Sequence, residues 1–266
     1  MLTARQQHCL RGIGVPLWRA RAGAAVDAPA AEHETSLDTV AAAQAAAEPQ
    51  APLAVAAAAP PADETLSAVA AQPAPVVPVA TTKLDSWDAI LTAIHACQAC
   101  ELAQNCTQKV PGVGDRQADL LIVGEGPGHD EDIQGEPFVG RSGQLLDRML
   151  AAIGFSREQV YITNIVKCRP PNNRDPRPDE AQHCRAYLEA QIERIAPRAI
   201  LSVGRVSAHN LLGSDQPVGK LIRQQHTLPG TDIPVKVTYH PAYLLRNPSA
   251  KAIAWQDLKL LHRMLR

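Results

Sequence analysis

The stretch from Leu120 to Gly143, LLIVGEGPGHDEDIQGEPFVGRSG, constrains this chain more than any other. Four consecutive large apolar residues, Leu120 to Val123, leave no polar face, so they fit a strand buried on both sides. The run then empties into glycine, proline and acids. Gly124, Gly126 and Gly128 permit a sharp turn or a close approach of backbone to ligand, which predicts a binding site at the carboxyl end of that strand. A His-Pro step at His240 follows a second apolar run, Val235 to Tyr239, and predicts another strand ending in the same way.

The rest of the 266 residues divides by composition. From about Arg21 to Thr82 the sequence is dominated by Ala and Pro and is poor in the side chains whose burial offsets ordering entropy, so a disordered linker is expected. Residues 1–20 carry Leu10, Ile13, Val15, Leu17 and Trp18 among arginines, a candidate docking motif for a protein partner beside the plainer reading of a frayed terminus. No run of eighteen apolar residues and no secretory pattern occurs, so a soluble protein that is not secreted and makes no membrane contact is expected. A monomer in a cytoplasm of bacterial type is a separate expectation.

Order is expected from Lys83, where Asp85 or Ser86 can cap a helix carrying Trp87, Ile90, Leu91 and Ile94. Further helices are predicted over 143–153, 178–195, 206–212 and 249–265, alternating with strands over 160–166, 199–203 and 235–239. The pattern predicts an α/β fold: a single three-layer domain over 83–266, with a mainly parallel four-stranded central sheet, helices on both faces and residues 1–82 as an N-terminal extension. Lys83 to Arg266 holds 22 Lys+Arg against 20 Asp+Glu, a surplus of two. That excludes a strongly basic nucleic-acid footprint and leaves DNA binding to a local patch, of which Lys167, Arg169, Arg174 and Arg177 form the one cluster.

Six cysteines in a chain of this size do not suggest a disulfide scaffold. Cys97-x-x-Cys100 is followed by Cys168 and, fifteen intervening residues later, Cys184. Four thiolates bind zinc or an iron-sulfur cluster, and the lack of a second C-x-x-C weighs against a two-knuckle zinc site, so the spacing leans to [4Fe-4S] and leaves zinc open. Buried apolar thiols are the plainer reading, and Cys106 lies close enough to Cys100 to compete as a ligand.

Taken together, GEGPG at 124–128, GEPFVGRSG at 135–143, TNIVKCRPPNNR at 163–174 and HPAYLLR at 240–246 resemble the family four uracil-DNA glycosylases, the iron-sulfur branch of that superfamily. The resemblance implies a repair enzyme that flips uracil out of single- or double-stranded DNA, hydrolyses its N-glycosidic bond and acts at the nucleoid. It implies a [4Fe-4S] cluster on Cys97, Cys100, Cys168 and Cys184. It places His240 as the donor to uracil O2, Asn164 as the reader of O4 and N3-H, and Phe138 stacked under the flipped base. Glu131 corresponds to an acid near the base.

Breaking the glycosidic bond gathers negative charge on the departing pyrimidine, so a positioned donor and a positioned water are required. Gly126 stands where the best-known branch has a water-activating aspartate, which leaves the water to backbone and neighbouring side chains, with Glu125 a catalytic candidate. The backbone of Gly124, Gly126, Pro127 and Gly128, with Asn173, completes the substrate-binding set. Tyr243 and Leu244 are expected to fill the gap left by the extruded nucleotide, and Arg246 to meet phosphate. A covalently trapping relative is disfavoured because CRPPNNR runs directly on without an added basic loop. A non-enzymatic cluster-bearing module using GEGPG as an anion cradle is the other rival.

Overall fold

The strand at Leu120 sets the architecture. In the computed structural model, which describes residues 84–266, Leu120–Gly124 is β2, and Leu120 to Val123 are all 0% exposed. Successive side chains enter opposite layers: Leu120 and Ile122 join one core cluster, Leu121 and Val123 the other. Each such side chain contributes on the order of 2 kcal/mol by burial, so a polar substitution at any of them would disrupt the layer it enters. The tail and linker expected over 1–82 lie outside the described residues.

Parallel strands Tyr161–Asn164 (β3) and Ala199–Val203 (β4) flank β2, and Pro234–Thr238 (β6) pairs beyond β4, also in parallel. These are the four strands that the sequence predicted. The sheet nonetheless has six, in the order β1-β3-β2-β4-β6-β5. Val113–Gly114 (β1) and His226–Thr227 (β5) each add two residues antiparallel to an edge. Two residues carry no periodicity, and the open edge beside them creates the pairing.

On one face lie Arg141–Ala152 (α4) and Lys251–Met264 (α9), with Leu145, Leu146, Met149, Leu258 and Leu261 in the core. On the other lie Pro178–Ile195 (α5) and Arg205–Leu212 (α6). Trp87–Ala96 (α1) is capped by Ser86, which accepts from the Ala89 amide at 3.2 Å, and packs Ile90 and Ile94 against Tyr187 and Ala190 of α5. Short helices Leu102–Asn105 (α2), His129–Gln134 (α3), Val218–Leu221 (α7) and Pro241–Arg246 (α8) fill the loops and were not predicted, being too short for a repeating apolar face. Among the described residues no helix is long and apolar enough to cross a membrane.

The chain leaves β2 for β3 on one side and then crosses to β4 on the other, so the sheet has its switch point at the carboxyl ends of these strands. Gly124 lies opposite Asn164 in the register, and Val203 opposite Thr238. The glycine loop, Asn164 and the His-Pro step therefore open at one end of the sheet.

Candidate active site

A cavity of about 420 Å³ occupies that end, lined by Glu125, Gly126, Pro127, Gly128, Glu131, Phe138, Asn164, Asn173, His240 and Arg246, with Ser142, Pro170, Arg174, Asp175 and Ala242. Gly124 borders it for a steric reason. A Cβ there would stand 2.4 Å from Asn164 Oδ1 and 2.6 Å from the Phe138 ring, so any side chain would displace both.

Asn164 is buried at the end of β3, and its Oδ1 is the one buried side-chain polar atom without a hydrogen-bond partner among the described residues. Such an acceptor costs about 1–3 kcal/mol while unpaired, a cost relieved when a ligand N–H reaches it. The Asn164 main chain is held from behind. Lys167, fully buried one turn further along the chain, donates to the Asn164 carbonyl at 2.8 Å, to Thr163 Oγ1 at 2.7 Å and to Gln191 Oε1 at 2.8 Å.

His240 caps α8, its Nδ1 accepting from the Ala242 amide at 3.1 Å. With Nδ1 used as an acceptor, the neutral ring carries its proton on Nε2 and is a donor there. Burial, and then the charge of Arg246, push the imidazole pKa down to about 4, so the ring is neutral at pH 7. Phe138 stacks against it with centroids 5.6 Å apart and 30° between the planes. Phe138 has φ 56, a strained value for a side chain of this size, and Arg157 holds the turn by donating to the Phe138 and Pro137 carbonyls. It is at once a cavity wall and a buried member of the core.

Glu131 spends its carboxylate on the main chain, accepting from Gly128 at 3.1 Å, Val139 at 3.0 Å and Gly140 at 3.1 Å, and so ties the two glycine loops together. Glu125 is different. Burial, then the charge of Asp175 and a hydrogen bond with it, push its carboxyl up to about 7 against the pull of Arg205. Asn173 has φ 54 and accepts from Arg169 Nε at 2.7 Å.

Two expected residues lie elsewhere. Leu244 is 1% exposed and packs in the core, so it cannot enter a DNA helix; its neighbour Leu245, 38% exposed, lines a cleft adjoining the cavity. In α8 a step of one residue turns a side chain by 100°, which run-on apolar sequence does not reveal. Tyr243 is exposed and stacks on Tyr239 at 4.9 Å, outside the cavity. Of the expected basic patch, Lys167 is turned inward, Arg174 is bonded to the Glu180 carboxylate at 2.8 and 2.6 Å, and Arg177 lies 3.4 Å from Glu101. The sequence reading passed over Ser142, Pro170, Asp175 and Leu245; only Asp175, an acid two residues after an Asn-Asn turn, had a signal that could have been noticed.

The cysteines gather on the far side of Lys167. Cys97 ends α1, Cys168 follows β3 and Cys184 lies in α5; Cys168 and Cys184 are buried, and Cys97, Cys100 and Cys106 are half-buried. Cys184 feels the charges of Cys100 and Cys97, Cys168 feels Cys184, and Tyr187 hydrogen-bonds Cys97, so the four thiols share one nest. Burial raises the thiol pKa of Cys100, Cys168 and Cys184, the last to about 11, and thiols so raised become thiolates when a metal takes the proton's place. Cys106 also touches Cys168, and its sulfur accepts from Lys109 Nζ at 3.2 Å. Among the described residues no three His, Cys, Asp or Glu side chains are grouped so that they could hold a metal ion.

Comparison with known proteins accords with this geometry. The sequence profile of the uracil DNA glycosylase superfamily matches residues 111–259. The type-4 uracil-DNA glycosylase of Archaeoglobus fulgidus is 44% identical over 184 residues, covering 66% of this chain and 92% of that protein. That of Saccharolobus solfataricus is 42% identical over 189 residues (68% and 88%), and that of Thermotoga maritima 41% over 182 residues (67% and 94%). The chain belongs to the type-4 branch of the uracil-DNA glycosylase superfamily.

Proposed function

We propose that this chain removes uracil from DNA by hydrolysis, with Asn164 reading the base, His240 stabilising the leaving group and Glu125 receiving the proton of the attacking water. The unpaired, buried Oδ1 of Asn164 carries the reading. Uracil offers an N3–H to such an acceptor, and cytosine offers an unprotonated N3, so only uracil satisfies the site. Phe138 supplies a flat apolar surface for the flipped ring, and the neutral His240 supplies Nε2–H to O2, where charge gathers as the C1′–N1 bond breaks. Arg246 at the rim meets phosphate, and Leu245 takes the gap-filling place that Leu244 cannot.

The ordered domain is residues 83–266, and the segment before it is an extension open to a protein partner. The protein works as a monomer on single- or double-stranded DNA at the nucleoid. Cys97, Cys100, Cys168 and Cys184 hold a [4Fe-4S] cluster, which when bound links α1, the loop after β3 and α5 through iron–thiolate bonds. Incubation with a single-uracil oligonucleotide tests the function: repeated formation of abasic sites by each enzyme molecule supports it. A stable covalent adduct would indicate a trapping protein, and binding without base release a non-enzymatic module.

A further inference from the structure

We propose that Asp175 is a positioning residue of this site, a carboxylate that holds Glu125 in place and shares the proton Glu125 takes from the attacking water. The inference rests on reading the cavity as the place of excision.

The fold builds Asp175 into place. Asn172 and Asn173 both take positive φ, 56 and 54, and turn the chain after β3 back over the cavity, where Asp175 and Glu125 line the same wall. Arg174 fastens this turn: it grips Glu180, itself buried, and donates to the Asp175 carbonyl at 2.9 Å. The Asp175 carboxyl lies beside that of Glu125 on this wall. Once Glu125 has taken a proton, its O–H has the Asp175 carboxylate as an acceptor, so the two can share it.

One cation serves that pair. Arg205, at the start of α6, forms an ion pair with Asp175 and acts on Glu125 as well. Gly204 just before it has φ 97, and a Cβ there would meet His240 Cβ at 3.0 Å. Of the other charged or titratable groups around the cavity, Glu131 is taken up by main-chain amides, Arg174 by Glu180, His240 is held neutral, and Arg246 acts on His240. Glu125 is accordingly raised by burial first and by Asp175 second, with Arg205 opposing.

The chemistry balances as follows. The C1′–N1 bond breaks with its electron pair going to the base, and the water oxygen bonds to C1′. The proton released passes to the Glu125 carboxylate, and Asp175 accepts a hydrogen bond from it. The Asp175 side chain is 56% exposed and gives that proton a way to solvent.

Single-turnover excision of uracil from a single-stranded oligonucleotide, followed between about pH 5 and pH 9 with the cluster confirmed in each protein, makes the test. The wild-type rate should fall on an acid limb centred near 7, the value at which Glu125 titrates. Asp175→Asn should move that limb down by about one unit, raising the rate at pH 6, relative to its own plateau, about fivefold. Arg205→Met should move it up, and Glu125→Gln should abolish it. An Asp175→Asn limb that stays in place while Glu125→Gln loses its limb overturns the role of Asp175 alone. A Glu125→Gln enzyme with the wild-type limb overturns Glu125 as the water's base, and the proposal with it. Should Asp175→Asn fail to fold, Asp175→Ser decides by the same limb: a downward shift supports the role of Asp175 and no shift refutes it.

Discussion

The Lys167 ammonium donates to the Asn164 carbonyl at 2.8 Å, so one buried side chain links the residue facing the cavity to the segment bearing Cys168. The same nitrogen reaches Gln191, whose Nε2 donates to the Pro111 carbonyl at 2.9 Å. Burial pushes this lysine down to about 7, against the charge of Cys184. Lys167→Met keeps the volume and strips three acceptors of their donor, which should cost about 2–4 kcal/mol. Thermal unfolding measures the loss; an unchanged Tm would mean that the lysine contributes nothing to holding β3.

Loss of His240 and loss of Asn164 should separate in kinetics. Removing a donor aimed at developing charge costs about 3 kcal/mol, so His240→Ala should slow single-turnover excision on the order of a hundredfold or more. Asn164→Ala should also slow uracil excision and, by removing the unpaired acceptor, narrow the preference for uracil over cytosine. Excision of both bases by both variants is the measurement, and full uracil activity in Asn164→Ala would disprove the reading of the cavity.

The depressed pKa of His240 has a thermodynamic counterpart. Because the folded value, about 4, lies below the ordinary 6.5, the unfolded chain takes up this proton first as pH falls. Stability from this group is therefore complete above 6.5 and is lost as pH drops toward 4. Glu125 is raised and acts in the opposite sense, so the comparison must be between wild type and His240→Asn. Wild type should lose more Tm between about pH 7 and pH 5 than the variant does; equal losses would place the imidazole in water.

Purified protein should be brown, with broad visible absorbance and iron and sulfide on analysis. Cys97→Ser, Cys100→Ser, Cys168→Ser and Cys184→Ser should each lose iron, and Cys106→Ser should keep it. Iron lost in Cys106→Ser and kept in Cys100→Ser would exchange their roles, an outcome the contact between Cys106 and Cys168 makes worth measuring.

Neighbouring leucines in α8 should behave as opposites. Leu244→Ala removes a fully buried side chain and should cost about 2–5 kcal/mol of stability. Leu245→Ala should leave stability within about 0.5 kcal/mol of wild type and weaken excision from duplex more than from single strands, since only a duplex closes behind an extruded base. A Leu245 variant with wild-type duplex activity would remove that residue from the DNA face.

Much was legible in the sequence because local rules already forced it. An apolar run with no polar face had to be a central strand, and β2 is one; Pro178 with Asp179 and Glu180 had to open a helix, and α5 begins there. The glycine loop and the His-Pro step read as strand ends, since glycine weakens a ladder and proline brings no N–H to one. Which side chains those ends bring together was a different matter. Lys167 read as one more cation in a basic loop, yet it points inward because Thr163, the Asn164 carbonyl and Gln191 converge there from parts of the chain up to 24 residues away. Leu244 and Leu245 are indistinguishable as letters, and only the seat of α8 against α4 decides which is buried. Asp175 gained its meaning when two left-handed asparagines brought it to Glu125, fifty positions earlier in the chain. Periodicity and turn chemistry act between near neighbours and are written in the sequence; the partner of a buried charge is chosen by packing across the fold, where no local pattern reaches.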